Sequence, residues 1–169
     1  MSKFKKIIAI IMAGSAILIA GCSKSSSEHS NASLKPSSKS PTEQIKTNSG
    51  LWFSAKDYNQ KSKSGFEAFE FKGNKVSLYT ASKIAKTTSD QNKIKKDGKM
   101  GDGKYTIKTK GSKTIVNINA KISGIPANYK FTIKGKIAKS TKTLKAQGFM
   151  VDKTFDHDTV SGILVQPVH

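Results

Sequence analysis

Apolar and polar side chains alternate through most of the last 120 residues of the chain. Between residues 128 and 137, Tyr129, Phe131 and Ile133 fall on one side, and lysines and Thr132 fall on the other. This period of two is typical of a β-strand with one buried face. The same alternation predicts further strands around residues 69–71, 76–78, 104–108, 116–122, 144–148 and 160–165.

Turn-forming sequences separate these strands. They lie at residues 72–74, 110–112, 123–126 and 139–141. Such short connections favour antiparallel hairpins between neighbouring strands. About eight strands in meander order predict an all-β domain that closes into a small barrel with an apolar interior and a polar exterior. A two-sheet β-sandwich satisfies the same alternation and stays open as the alternative.

One polar segment interrupts the strand pattern. Residues 82–100 are rich in lysine and end in a group of glycines and aspartates. We expect a strand end followed by a long loop there, and a short helix is an open alternative. No other part of the domain has the apolar spacing of an amphipathic helix.

The N-terminal segment has the layout of a signal peptide. Three early lysines precede an apolar stretch from residue 7 to residue 20, which is too short to span a bilayer as a helix. The run from Leu18 to Cys22 resembles the lipobox of bacterial lipoproteins. This resemblance implies cleavage between Gly21 and Cys22, a lipid on the Cys22 thiol and a place on the extracytoplasmic face of the cell membrane. Cys22 is the single cysteine of the chain, so it has no intramolecular disulfide partner.

The chain after Cys22 is predicted to be a tether. Residues 23–49 contain ten serines and no aromatic residue, a composition that buries too little apolar surface to offset its ordering entropy. We therefore predict a signal peptide over residues 1–21, a lipidated cysteine and disordered linker over 22–49, and a folded domain over 50–169. A flexible linker of that length reaches roughly 30 Å.

The charge of the chain is strongly positive. All 30 basic residues are lysines, and the formal net charge is +19. A basic surface attracts polyanions. Nucleic acid is disfavoured as a partner because the chain carries an export signal, lacks the arginines that read phosphate and guanine, and shows no nucleic-acid-binding motif. At the cell surface, the available polyanions are anionic lipids and polymers of the cell wall. The alternative is that the lysines only form the solvated outward faces of strands.

The start of the domain carries a resemblance to a known family. The sequence Gly50-Leu51-Trp52 is similar to the Gly-X-Trp motif that begins the first strand of lipocalins and related calycin barrels. With the stretches 69–76 and 103–107, it resembles small lipocalin-like lipoproteins of Gram-positive bacteria. The resemblance implies that Gly50 turns the chain into the first strand and that Trp52 closes the barrel floor. Lipocalins usually place an arginine across this tryptophan, and this chain has none.

One cluster of residues has the composition of a catalytic or metal site. A histidine flanked by carboxylates, as in Asp152, Asp156, His157 and Asp158, suits a general base or a metal ligand. Alternation along a strand separates these side chains, and no activated nucleophile accompanies them. We interpret the cluster as a solvated loop between the last two strands. Residues 97–103 lack the ligands of a calcium loop. We therefore predict no catalytic residue, no metal site and no cofactor.

The sequence leads to one preferred function. We expect a lipid-anchored, non-enzymatic surface protein whose barrel holds a small apolar or envelope-derived ligand. The alternative is an interaction protein that uses its lysine-rich exterior to bind wall polyanions or to protect the cell from bacteriocin or phage. An envelope enzyme is a third hypothesis and depends on residues 156–158 alone.

Overall fold

Eight antiparallel strands form a closed barrel. The computed structural model describes residues 34–58 and 65–168. Each strand pairs with the next along the chain, and the last strand pairs with the first. The predicted all-β meander and barrel are confirmed, and the sandwich alternative is wrong. The architecture is consistent with a lipocalin-like fold.

The strands follow the alternation in the sequence closely. Their bounds are β1 Trp52–Ala55, β2 Phe66–Lys72, β3 Lys75–Ala81, β4 Lys99–Lys110, β5 Lys113–Ile122, β6 Ile125–Ser140, β7 Lys145–Phe155 and β8 Asp158–Pro167. The four predicted turns connect β2 to β3, β4 to β5, β5 to β6 and β6 to β7. Two helices complete the described chain: α1 Pro41–Thr47 before β1, and α2 Thr88–Asp97 between β3 and β4.

Aromatic side chains fill one half of the barrel interior. Trp52 stacks on Phe149 with ring centroids 5.6 Å apart and nearly parallel planes. Phe69 meets Phe131 edge to face at 5.3 Å, and all four rings are fully buried. Each ring of this size buries roughly 150–250 Å², so the four contribute strongly to the apolar core. Phe149 covers one face of the Trp52 ring.

A second apolar layer covers one side of the barrel from outside. Phe53, Phe66 and Val165 point outward from their strands, yet they are buried. Residues from the β3–β4 connection, Ile84 among them, pack over them. These strands are therefore apolar on both faces, which explains why they show weaker alternation than β4 to β6.

Helix α2 occupies the segment predicted as a long loop, so the alternative of a short helix is the correct one. The helix is polar over most of its length, and Ile94 is its sole large apolar residue, so no helical stripe marks it in the sequence. Its start is marked instead by a cap, because the Thr87 hydroxyl accepts from the Asp90 backbone N–H at 3.1 Å. No helix among the described residues is both long and apolar enough to span a membrane.

Helix α1 lies inside the predicted linker and corrects its boundary. Ser40 caps the helix by accepting from the Glu43 N–H at 3.2 Å, and Ile45 is fully buried in the barrel core. At the same end of the barrel, Lys136 donates to the backbone carbonyls of Ser37 and Ser38. The folded domain therefore begins before Gly50. One apolar residue per helix is too little for periodicity to detect, although Ser-X-X-Glu at residues 40–43 is a helix-start signature.

Removing the Ile45 side chain tests whether α1 belongs to the fold. We expect Ile45→Ala to lower the free energy of unfolding by about 2–5 kcal/mol, because it leaves a cavity in the barrel core. Urea denaturation followed by Trp52 fluorescence measures the change. Ile125→Ala is the matched control, because Ile125 is 70% exposed, and its effect stays below about 0.5 kcal/mol. Equal effects of the two substitutions would contradict the docked helix.

Candidate functional site

The barrel is open at the end opposite α1. There the inward-facing side chains surround a cup of about 720 Å³. Its walls come from β1 to β8, and they include Met100, Ile122 and Val151. A cavity of this size lies within the range of sites for small molecules.

Three polar side chains from three strands meet in the wall of the cup. Glu67 of β2 accepts from the Tyr129 hydroxyl of β6 at 3.0 Å through one carboxylate oxygen. Its other oxygen accepts from the Lys153 ammonium of β7 at 2.6 Å. Glu67 and Lys153 are each less than one-third exposed, so the pair is shielded from bulk water and still reachable from the cup. We call Glu67, Tyr129 and Lys153 the polar triad.

Tyr129 is held in its neutral form by this environment. The ring is almost fully buried and stands edge to face against Phe69. Burial raises the pKa of Tyr129 well above its ordinary value, and the neighbouring Glu67 carboxylate raises it further. The neutral hydroxyl is thus a hydrogen-bond donor to Glu67 throughout the physiological pH range.

Apolar side chains continue the wall of the cup above the triad. The Phe155 ring lies 4.7 Å from the Tyr129 ring, and Phe155 is 40% exposed. Val160 on the neighbouring strand β8 also lines the cup and is 55% exposed. The site therefore combines apolar rims with a polar group that is placed deeper in the barrel.

The two predicted fold markers lie at the other end, away from the cup. Gly50 has φ +105°, a left-handed conformation that favours glycine and turns the chain into β1. Two side-chain amides bond to the backbone on either side of Gly50. Gln91 accepts from the Leu51 N–H at 2.9 Å, and Gln166 donates to the Ser49 carbonyl at 2.6 Å. Trp52 packs in the filled half of the barrel, as the resemblance implies. Its indole N–H is buried and has no hydrogen-bond partner among the described residues.

The acidic residues around His157 form no joint site. Asp156 and His157 make the turn between β7 and β8, where His157 is 98% exposed, so the predicted solvated loop holds for these two residues, whereas Asp158 begins β8. Asp152 lies on the outer face, paired with the Lys134 ammonium at 2.6 Å and with the Ser161 hydroxyl at 2.9 Å. Within residues 34–58 and 65–168, no three potential metal ligands come together.

Other predicted site residues fall outside the described chain. Gly21 and Cys22, the cleavage and lipidation positions, precede residue 34. Their roles stay predictions from the sequence.

The polar triad is the part of the site that the sequence analysis missed. Glu67 and Lys153 sit at positions that alternate with outward residues, so the pattern places them inside the barrel. A charged residue at an inward position of a strand is the signal that identifies such a pair. The pairing itself depends on β2 and β7 facing each other across the barrel, which local sequence does not reveal.

Comparison with known proteins identified no relative of this chain. No protein-family model, curated protein or solved structure matches the chain.

The raised pKa of Tyr129 predicts a loss of stability in alkali. An unfolded tyrosine ionises near pH 10, whereas folded Tyr129 resists ionisation. Its contribution to stability is therefore complete below about pH 10 and is lost as the pH rises toward the folded pKa. We expect wild type to lose stability relative to Tyr129→Phe above pH 10, by up to about 1.4 kcal/mol per pH unit. Urea denaturation between pH 8 and pH 11.5 measures this difference. Parallel pH profiles of the two proteins would contradict the prediction.

Proposed function

We propose that this protein is a lipid-anchored, non-enzymatic binding protein that holds a small amphipathic molecule in the cup. The observation that carries the proposal is the coexistence of exposed apolar rims and a shielded polar triad in one open cavity. The apolar body of the ligand packs on Phe155, Val160 and Ile122. The polar group of the ligand reaches the Lys153 ammonium. That ammonium has three N–H donors, and only one of them is used in the hydrogen bond to Glu67.

The filled half of the barrel limits where a ligand can be placed. The end of the barrel near α1, which we call the closed end, is filled by the rings of Trp52, Phe69, Phe131 and Phe149. A packed interior of this kind tolerates little added volume. The ligand is therefore assigned to the cup and not to the whole interior. A cup open to solvent suits exchange with the surroundings more than permanent enclosure.

The cellular setting of the proposal comes from the N-terminal sequence. Cleavage before Cys22 and acylation of its thiol place the barrel on the outer face of the cell membrane of a Gram-positive bacterium. Two acyl chains on one glyceryl group suffice for stable anchoring. The ligand is then a component of the cell envelope or a molecule that arrives from outside.

Narrowing the cup tests the proposed site. We expect Val160→Trp to weaken binding of the fluorescent amphiphile anilinonaphthalene sulfonate by at least about tenfold, because the indole occupies the mouth. Fluorescence titration of the folded protein measures the affinity. Met150→Trp is the matched control, since Met150 is similarly exposed on the adjacent strand but faces outward from the barrel.

The control variant should bind within about twofold of wild type. If both tryptophan variants bind as wild type does, the probe binds elsewhere and the cup is not the site. If wild type binds no amphiphile, the ligand-binding proposal fails.

The anchor is tested by the cysteine alone. In the native host, we expect wild type to incorporate radiolabelled palmitate and to sediment with membranes, and we expect Cys22→Ser to lose the label and to leave the membrane fraction in high salt. High salt suppresses electrostatic attachment, so that the lipid alone is measured. A Cys22→Ser protein that stays with the membrane in high salt would argue against lipid anchoring.

A further inference from the structure

The two ends of the barrel differ in charge. At the closed end, lysines flank all three hairpin connections, and no acid occurs in the connections themselves. At the mouth, the β5–β6 turn lies between Ile122 and Ile125, and the β7–β8 turn contains Asp156 and is followed by Asp158 at the start of β8. The alternation in the sequence gives no hint of this difference, because it separates the inside from the outside and not one end from the other.

Two closed-end hairpins place like charges directly opposite each other. Lys72 is paired in register with Lys75, and Lys110 is paired in register with Lys113. Directly opposed like charges destabilise a pair of strands. The two hairpins share the sequence pattern Lys-Gly-X-Lys, so the same repulsive arrangement occurs twice at one end.

The third closed-end connection also carries two lysines, but they are not paired in register with each other. Lys142 lies in the connection between β6 and β7, and Lys145 begins β7. These two lysines and the four of the other hairpins are all exposed. Within the described part of the chain, none of the six ammonium groups has a carboxylate within 4.0 Å.

We propose that this lysine-tipped closed end docks on a bilayer surface that contains anionic phospholipids. The docking surface consists of Lys72, Lys75, Lys110, Lys113, Lys142 and Lys145, which we call the lysine end. The negative surface potential of an anionic leaflet attracts basic side chains and so stabilises their binding to it. The headgroup phosphates would also supply the counter-charges that the two opposed lysine pairs lack.

The arrangement of the lysines favours a flat surface over a single polymer strand. They occupy three separate hairpin connections at one end of the barrel, so an extended charged surface reaches more of them than a single polymer strand does. The lysine end has no aromatic residue on its connections, whereas proteins that bind single-stranded nucleic acid stack bases on aromatic rings. Phosphatidylglycerol-type headgroups therefore fit better than nucleic acid.

The path of the chain supports the same orientation. Residues 37 and 38 bond to Lys136 beside α1, so the described chain begins at the closed end. The 33 residues before Leu34, which include the predicted lipidation position, continue from this end. Docking at the lysine end leaves the mouth of the cup facing away from the bilayer.

Vesicle binding by the chain from residue 22 onward, with Cys22→Ala, tests the lysine end without the lipid. This chain retains every described element, since all of them lie between residues 34 and 168. Co-sedimentation with vesicles of phosphatidylcholine, with and without phosphatidylglycerol, measures the affinity. The test variant changes to glutamine Lys72, Lys75, Lys110, Lys113, Lys142 and Lys145. The control variant has the same net charge and changes to glutamine six exposed lysines outside the lysine end, namely Lys83, Lys93, Lys96, Lys99, Lys121 and Lys130.

We expect binding to the anionic vesicles only, a loss of at least about tenfold in the test variant, and a loss of less than about threefold in the control. The test variant should also be as stable to urea as wild type, because it removes like-charge pairs. Equal losses in both variants would show that net charge alone acts and would overturn the proposal. Equal binding to neutral vesicles would overturn it too, as would preferential binding to soluble poly(glycerol phosphate). The cup variant Val160→Trp should bind vesicles as wild type does, which separates this outcome from that of the ligand proposal.

Discussion

The packing of aromatic rings in the closed half of the barrel is the interaction on which the other features depend. Trp52 from β1 lies against Phe149 from β7, and Phe69 from β2 lies against Phe131 from β6, so the two ring pairs join strands that are distant in the sequence. With one cysteine in the chain, no disulfide can take over this role. Because one half is solid, the other half can stay open and still be rigid enough to hold a cup.

The open half of the barrel has charged side chains at inward positions where apolar side chains could pack. Glu67 and Lys153 occupy inward positions where apolar residues would add more stability, since burying an ion pair seldom gains over apolar packing. Tyr129 links them to the aromatic interior, because its ring packs on Phe69 and its hydroxyl bonds to Glu67. A charged pair kept at such a position is typical of a functional site more than of a structural one. Tyr129 thus connects the aromatic interior to the charged pair in the cup.

Period-two alternation predicted the turns and most of the strands, because each strand of β4 to β6 has one buried and one solvated face. It did not decide between a barrel and a sandwich. Alternation of this kind did not predict the two helices. Each buries one large apolar residue, Ile45 or Ile94, and its caps are the remaining signal. Alternation did not predict the polar triad either, because the partners come from β2, β6 and β7. The charge difference between the ends follows from which turns share an end, and that is a property of the closed topology.

The closure of the barrel has a consequence for how the chain reaches its native state. β1 pairs with β8 through three residue pairs, and Phe53 meets Val165 near the very end of the chain. The other six strands separate β1 from β8 in the sequence, so the edge of β1 has no partner until β8 is available to pair with it. Contacts between such distant residues form slowly. Until they do, Phe53 and its neighbours remain uncovered, and a chain cut short before Ile163 leaves an unpaired edge that is prone to aggregation.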